Sequence, residues 1–287
     1  MVFENIEGHT EFNIQPDWYK NRKPGVSAVI RCYGEERWIG PCIESCLSLF
    51  DEILVTITDV KGDRTKDIVK GFESKKIKLL EYPFRLQPQN RGLMSCDSVH
   101  QFSYYTNWGL SKTTYSHVAA RWDADHILRP EFATKQFHEY ILSKTNVRVR
   151  AFNVVSDDFR FLSKTHPYQS FHVRFAKVQP YLYFTGDSDF ATYYGIPQWF
   201  KPWYWKRFPR QQIMSIKNRM LFRDGKIDEP IFFHTKFLKM KEDELEKEGK
   251  FCVGAGKYSK ATLESGININ VNVPACAFKK PKEYLKN

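Results

Sequence analysis

The chain has 287 residues, 42% of them hydrophobic and 27% charged, with a formal net charge of +11. That is enough to bury the core of one large domain or two small ones, and it excludes wholesale disorder. No run approaches the roughly 18 uninterrupted apolar residues of a membrane-spanning helix, and the first residues lack the basic-then-apolar pattern of a secretory leader, so a cytoplasmic protein is expected. Six cysteines at 32, 42, 46, 96, 252 and 276 form no C-x-x-C pair and read as reduced thiols rather than a disulfide frame or zinc site.

Residues 1–24 end in the turn signal Lys23-Pro24-Gly25. The apolar run Val26–Cys32 predicts a buried strand, and the spacing of Trp38, Ile39, Cys42, Ile43 and Cys46 predicts a helix within Glu35–Phe50. Glu52–Thr58 predicts a second strand, Thr65–Phe72 a helix and Ile77–Leu80 a third strand. Strand and helix alternating in this way predict βαβ units and a parallel sheet. A helix near Ser98–Leu110 then leads into a strand over Tyr115–Arg121. A further helix is expected near Pro130–Leu142, and one strand over Val147–Val155. Residues 1–240 read as one catalytic domain, and 241–287 as a basic C-terminal extension, loosely attached from about residue 270.

The most informative local feature is Asp123-Ala-Asp125, at the carboxyl end of a predicted strand. Ligands of open α/β sheets bind outside the carboxyl ends of the strands, so both carboxylates are expected to face a cleft. Hard oxygen ligands suit Mg²⁺ or Mn²⁺ on a nucleotide diphosphate. Taken alone, D-x-D is also a common surface turn.

Its context narrows the reading. Val26–Cys32, the acidic pair Glu35-Glu36, the helix, the second strand, and Asp59, Asp63 and Thr65 follow in order. Asn107-Trp-Gly-Leu110 then stands before the D-x-D strand. This arrangement, over about residues 25–135, resembles the opening of family 2-like glycosyltransferases with the GT-A fold. The resemblance implies an α/β domain with a mixed, mainly parallel sheet, divided into a nucleotide-sugar half over about 24–126 and an acceptor half over about 127–240. It implies a UDP- or GDP-sugar donor, a divalent cation, a glycan or lipid-linked saccharide acceptor, and inverting transfer. Asp59 and Glu35 would then lie at the nucleoside, with Asp63 close by. Asp123 and Asp125 would hold the metal, with Asp123 also near the nucleotide. His234, in Phe232-Phe-His-Thr-Lys236, would complete the metal site, and Lys236 would face the diphosphate. Arg31 departs from the family's frequent proline and would add a cation near the phosphates. Asp63 and Thr65 are equally a turn and helix cap.

An inverting transferase needs a carboxylate to deprotonate the acceptor hydroxyl. Asp189 and Asp187, 64 and 62 residues beyond Asp125, are the candidates, with Asp157-Asp158 and Asp228-Glu229 as competitors. Residues 181–210 hold twelve aromatic and four basic side chains. Such a surface suits sugar stacking or an anionic membrane face. Two other functions remain open on sequence. A sugar-phosphate nucleotidyltransferase would share the sheet, but a Gly-rich phosphate loop is missing after the first strand. A nucleic-acid-binding module would use the basic-aromatic region and leave the D-x-D unexplained.

Overall fold

A computed structural model describes residues 19–58, 62–86, 99, 102–163, 166–169, 171–178, 182–184, 191–193, 224–235, 238, 251–253, 256–258 and 267–285. The first strands are β1 (Lys23–Cys32), β2 (Glu52–Ile57), β3 (Ile77–Glu81) and β4 (Tyr115–Asp123). Helices α1 (Ile39–Cys46), α2 (Thr65–Gly71) and α3 (Phe102–Ser111) connect them. After the short β5 (His126–Leu128) come α4 (Lys135–Leu142), β6 (Asn146–Val149), β7 (Ala151–Asn153), β8 (Phe161–Leu162) and β9 (His172–Lys177). The hairpin β10 (Leu182–Phe184) and β11 (Ala191–Tyr193), then β12 (Asp224–Lys226) and β13 (Phe232–His234), continue the chain. Three further strands are β14 (Phe251–Val253), β15 (Gly256–Tyr258) and β16 (Ile267–Asn268).

Seven strands form one sheet in the order β12-β6-β9-β4-β1-β2-β3. β1, β2, β3 and β4 are parallel, β9 runs against both β4 and β6, and β12 is parallel to β6. The sheet is therefore mixed and mainly parallel, as expected. The 3-2-1-4 order of its parallel half is that of doubly wound folds, with a switch point between β1 and β4. Both faces are covered, which explains why β1 and β2 read as continuous apolar runs rather than alternating ones. α1 buries Ile39, Cys42, Ile43 and Cys46 at helical spacing in the main core, which also holds Ile30, Ile53 and Trp122. Cys32, Cys42, Cys46 and Cys276 are buried, and no disulfide forms among the described residues. No helix among the described residues is long and apolar enough to cross a membrane.

Three expectations change. The run 147–155 is two strands, because the chain leaves the large sheet after β6 and enters a second sheet as β7. That second sheet has the order β5-β13-β7. The helix expected over 130–142 begins as a 3₁₀ turn at Pro130–Phe132 and restarts with Thr134 as a cap, its side chain accepting from the Phe137 N–H.

The C-terminal segment is also not loosely attached. Cys276, Ala277 and Tyr284 are buried, the Tyr284 ring stacks on Phe72, and Lys279 pairs with Glu44 at 2.7 Å. A Cβ on Gly40 would sit 2.4 Å from that tyrosine ring. Glycine is what lets the segment lie on α1. Gly40→Ala is expected to cost about 1–3 kcal/mol, read as a lower urea midpoint, and to expose residues 275–285 to limited proteolysis.

His117, at the start of β4, is held by Ser116 Oγ on Nδ1 at 3.0 Å and by the Lys144 carbonyl on Nε2 at 2.9 Å. Burial pushes its pKa below the ordinary 6.5, the Lys144 carbonyl opposes this, and Lys177 and His138 add to the lowering. The folded state thus favours the neutral ring. The resulting stability is full above about pH 6.5 and falls as acid protonates the unfolded chain first. The slope has a limit of about 1.4 kcal/mol per pH unit. Urea melts from pH 7.5 to 5.5 should show a shallower decline for His117→Gln than for the wild type.

Candidate metal and nucleotide site at the switch point

β1 and β4 end together at the switch point, where Arg31 is the register partner of Asp123. The pairing depends on an irregularity in β4. Ala28 pairs with Ala119 and Ile30 with Trp122, so β4 carries one extra residue across that interval. Without this bulge Arg31 would face Trp122, and the carboxylate would be carried past it. Alternation sends Trp122 into the core against Phe50, Phe175 and Phe232. Asp123 is left at the carboxyl edge.

Asp123 is committed to arginines. Its Oδ1 accepts from Arg31 Nε at 2.9 Å and from Arg31 Nη2, and its Oδ2 lies 3.9 Å from Arg174 Nη1. β9 runs antiparallel to β4, so its N-terminal half reaches β4's carboxyl end and delivers Arg174. Burial works to raise the Asp123 pKa, but Arg31, with Arg174 beyond it, holds this carboxyl well below the usual carboxylate range. Arg31 is therefore engaged with a carboxylate in addition to any role it has toward a phosphate.

Asp125 follows in the turn to β5 and is 4% exposed. The turn is fixed from β13: the Asp125 carbonyl accepts from the Thr235 N–H at 3.0 Å and from Thr235 Oγ1 at 3.3 Å. The second sheet then aligns three polar side chains in one row. His234 pairs with His126 of β5 on one side and with Asn153 of β7 on the other. As a result Asp125, His126 and His234 bring one potential ligand atom each within 4.8 Å of one another. The metal set expected from sequence was Asp123, Asp125 and His234; the gathered set replaces Asp123 with His126.

The two histidines differ in what their second nitrogen does. His126 Nδ1 accepts from the Asp123 backbone N–H at 3.1 Å, which places the proton of the neutral ring on Nε2. That Nε2 faces Asp125 Oδ1 and Asp123 Oδ2, each at 3.8 Å, too far for a hydrogen bond. Burial first, and then Arg174, pushes the His126 pKa well below its ordinary value. His126 thus presents an N–H rather than a lone pair to the cluster. His234 presents its Nε2 3.5 Å from Asp125 Oδ2 and is 11% exposed at the side chain.

Asp63 has both carboxylate oxygens engaged by backbone, with the Thr65 N–H at 2.9 Å and the Glu36 N–H at 3.3 Å. The Glu35 N–H donates to Thr65 Oγ1 at 3.0 Å. These bonds tie the β1–α1 loop to the start of α2: Asp63 takes the first N–H of that helix, Thr65 Oγ1 holds the loop, and the N-cap residue Arg64 makes no side-chain cap bond. Asp59, Lys236, Asp187 and Asp189 lie outside the described residues, as does most of the aromatic stretch 181–210. Asp157 of the competing acidic pair binds Arg37 at 2.5 Å, and Asp228 binds Lys226 at 2.5 Å.

Sequence reasoning passed over His126, Arg174 and Asn153. His126 adjoins the D-x-D and was readable as an extension of it. Arg174 and Asn153 have no local signature, because strand pairing alone delivers them. Compared with known proteins, the chain matches no family model, and no curated protein matches it.

Proposed function

We propose that the chain is a divalent-metal-dependent glycosyltransferase of the GT-A type, moving a sugar from a nucleotide diphosphate to a hydroxyl of a glycan or lipid-linked acceptor. One observation carries the reading. Asp125 and His234 converge beside the carboxyl ends of β1 and β4, at the switch point where doubly wound sheets bind nucleotides. Mn²⁺ suits this oxygen and imidazole donor set, and Mg²⁺ suits the carboxylate. Such an ion, when bound, neutralises charge on a leaving diphosphate.

The surrounding residues agree in charge. Arg31 and Arg174 cancel Asp123 and Asp125, so a divalent ion and a diphosphate would enter a balanced cluster as a nearly balanced pair. Asp125 and His234 hold the ion, and Asp123 is oriented by its arginines toward the nucleotide. Asp59 and Glu35 contact the nucleoside, and Lys236 supports the diphosphate. A late carboxylate, Asp189 or Asp187, takes the acceptor proton in an inverting displacement. The basic-aromatic region contacts the acceptor or an anionic membrane surface.

Calorimetry of UDP, GDP and their sugar conjugates with Mn²⁺, Mg²⁺ or EDTA tests this reading. Metal-dependent binding of one nucleotide class is expected. Absence of nucleotide binding, together with salt-sensitive, metal-independent binding of single-stranded nucleic acid, would overturn it.

A further inference from the structure

We propose that Asn153 is the positioning residue that makes His234 a metal ligand, by holding the imidazole in the tautomer whose Nε2 carries a lone pair. The inference rests on the metal site proposed above and adds to it a residue two strands away from the D-x-D.

The hydrogen bonds of one amide fix the tautomer. Asn153 is 6% exposed, and its Nδ2 donates to the His166 carbonyl at 2.8 Å. The reversed amide would set oxygen against that carbonyl oxygen, so Oδ1 is the atom that faces His234. Oδ1 lies 3.0 Å from His234 Nδ1. An amide oxygen only accepts, so Nδ1 carries the proton and donates it. The Asn153 backbone is clamped as well: its N–H donates to the Pro167 carbonyl at 2.9 Å, and its carbonyl accepts from the Ser163 N–H at 3.0 Å.

The alternative tautomer has a competing attraction. With the proton on Nε2, His234 would donate to Asp125 Oδ2, now 3.5 Å away, and both would be withdrawn from a cation. Asn153 decides between a metal-ready pair and an internally satisfied one. A ligating histidine whose other N–H is held by an oxygen acceptor is the usual supporting arrangement at metal sites. Loss of such a partner lowers metal affinity by about 10- to 100-fold. His126 has the opposite arrangement, since a backbone N–H takes its Nδ1. The parallel register of β13 on β7 sets the contact, and a one-residue slip would turn Asn153 to the other face.

The experiment measures Mn²⁺ binding by calorimetry, and imidazole coordination by electron spin-echo modulation from a bound nitrogen. It uses the full chain with Asn153→Leu and Asn153→Asp, each with its thermal midpoint. Leucine removes the acceptor and should lower Mn²⁺ affinity by about 10- to 100-fold and abolish the nitrogen modulation. Aspartate keeps an acceptor for Nδ1–H but places a carboxylate against the His166 carbonyl. It should therefore lower the thermal midpoint while retaining nitrogen coordination and affinity within a few-fold. Affinity that tracks thermal stability through both variants, or aspartate that binds Mn²⁺ without the nitrogen signal, overturns the inference even if the leucine variant does not fold. Wild-type protein that binds no Mn²⁺, or binds it without nitrogen, removes the metal site itself and this inference with it. Nitrogen-coordinated wild type with an unaffected leucine variant removes only the role of Asn153.

Discussion

Asp125→Ala is expected to abolish measurable Mn²⁺ binding and, with it, metal-dependent nucleotide binding, while the protein stays folded. Removing a supporting residue of a metal site costs about 10- to 100-fold, so removing a carboxylate that itself contacts the ion should cost more than about 100-fold. The fold should survive because the turn at 124–126 is held through the Asp125 backbone carbonyl and Thr235, which the substitution leaves in place. Asp125 is also a buried anion beside Asp123, so its loss relieves a like-charge repulsion. Unaltered circular dichroism with lost calorimetric binding supports the site. Retained Mn²⁺ affinity would show that the metal is held elsewhere.

The second large effect is on stability. Arg31→Met removes the cation that donates twice to Asp123 Oδ1 from a position 5% exposed. Breaking a buried ion pair on one side costs about 3–5 kcal/mol, because the surviving charge stays desolvated. Asp123 keeps 31% side-chain exposure and a second arginine at 3.9 Å, which places the expected loss near the low end, about 3 kcal/mol. Arg31→Met combined with Asp123→Asn should recover much of that loss, and a double-mutant cycle in urea measures the coupling. Equal losses in the single and double variants would mean that Arg31 stabilises by packing alone.

The α/β succession was legible because its signals are local. Apolar runs marked β1 to β4, with Lys23-Pro24-Gly25 at the first and Pro83 after the third, and helical spacing marked α1. The D-x-D was legible for the same reason: a strand ends there, and two short carboxylates follow. Asp125 and His234, both expected at the metal, do come together, while Asp123, expected at the metal and the nucleotide, is paired with Arg31 and lies near Arg174. That commitment depends on a bulge in β4 and on the reversed direction of β9, and neither leaves a pattern in the residues themselves. The break at Arg150 was hidden too, since apolar residues stand on both sides of it, Val147 and Val149 before and Ala151, Phe152, Val154 and Val155 after, whether the run serves one sheet or two. Asn153 became visible only once β13 lay between β5 and β7. The docking of residues 275–285 was obscured by a lysine-rich composition that resembles a solvated tail, although Tyr284 within it fills a space only a glycine leaves open.

That docking has a consequence for synthesis on the ribosome. Cys276 Sγ meets the Pro41 carbonyl at a sequence separation of 235, and Lys279 meets Glu44 at the same separation. α1 emerges early, yet the side of it around Gly40 and Glu44 stays uncovered until residues 275–285 have left the exit tunnel. Contacts this distant in sequence form late, after the cost of closing a very long loop. The nascent chain would thus carry an open apolar surface through most of its translation, and that surface is where a chaperone would find it.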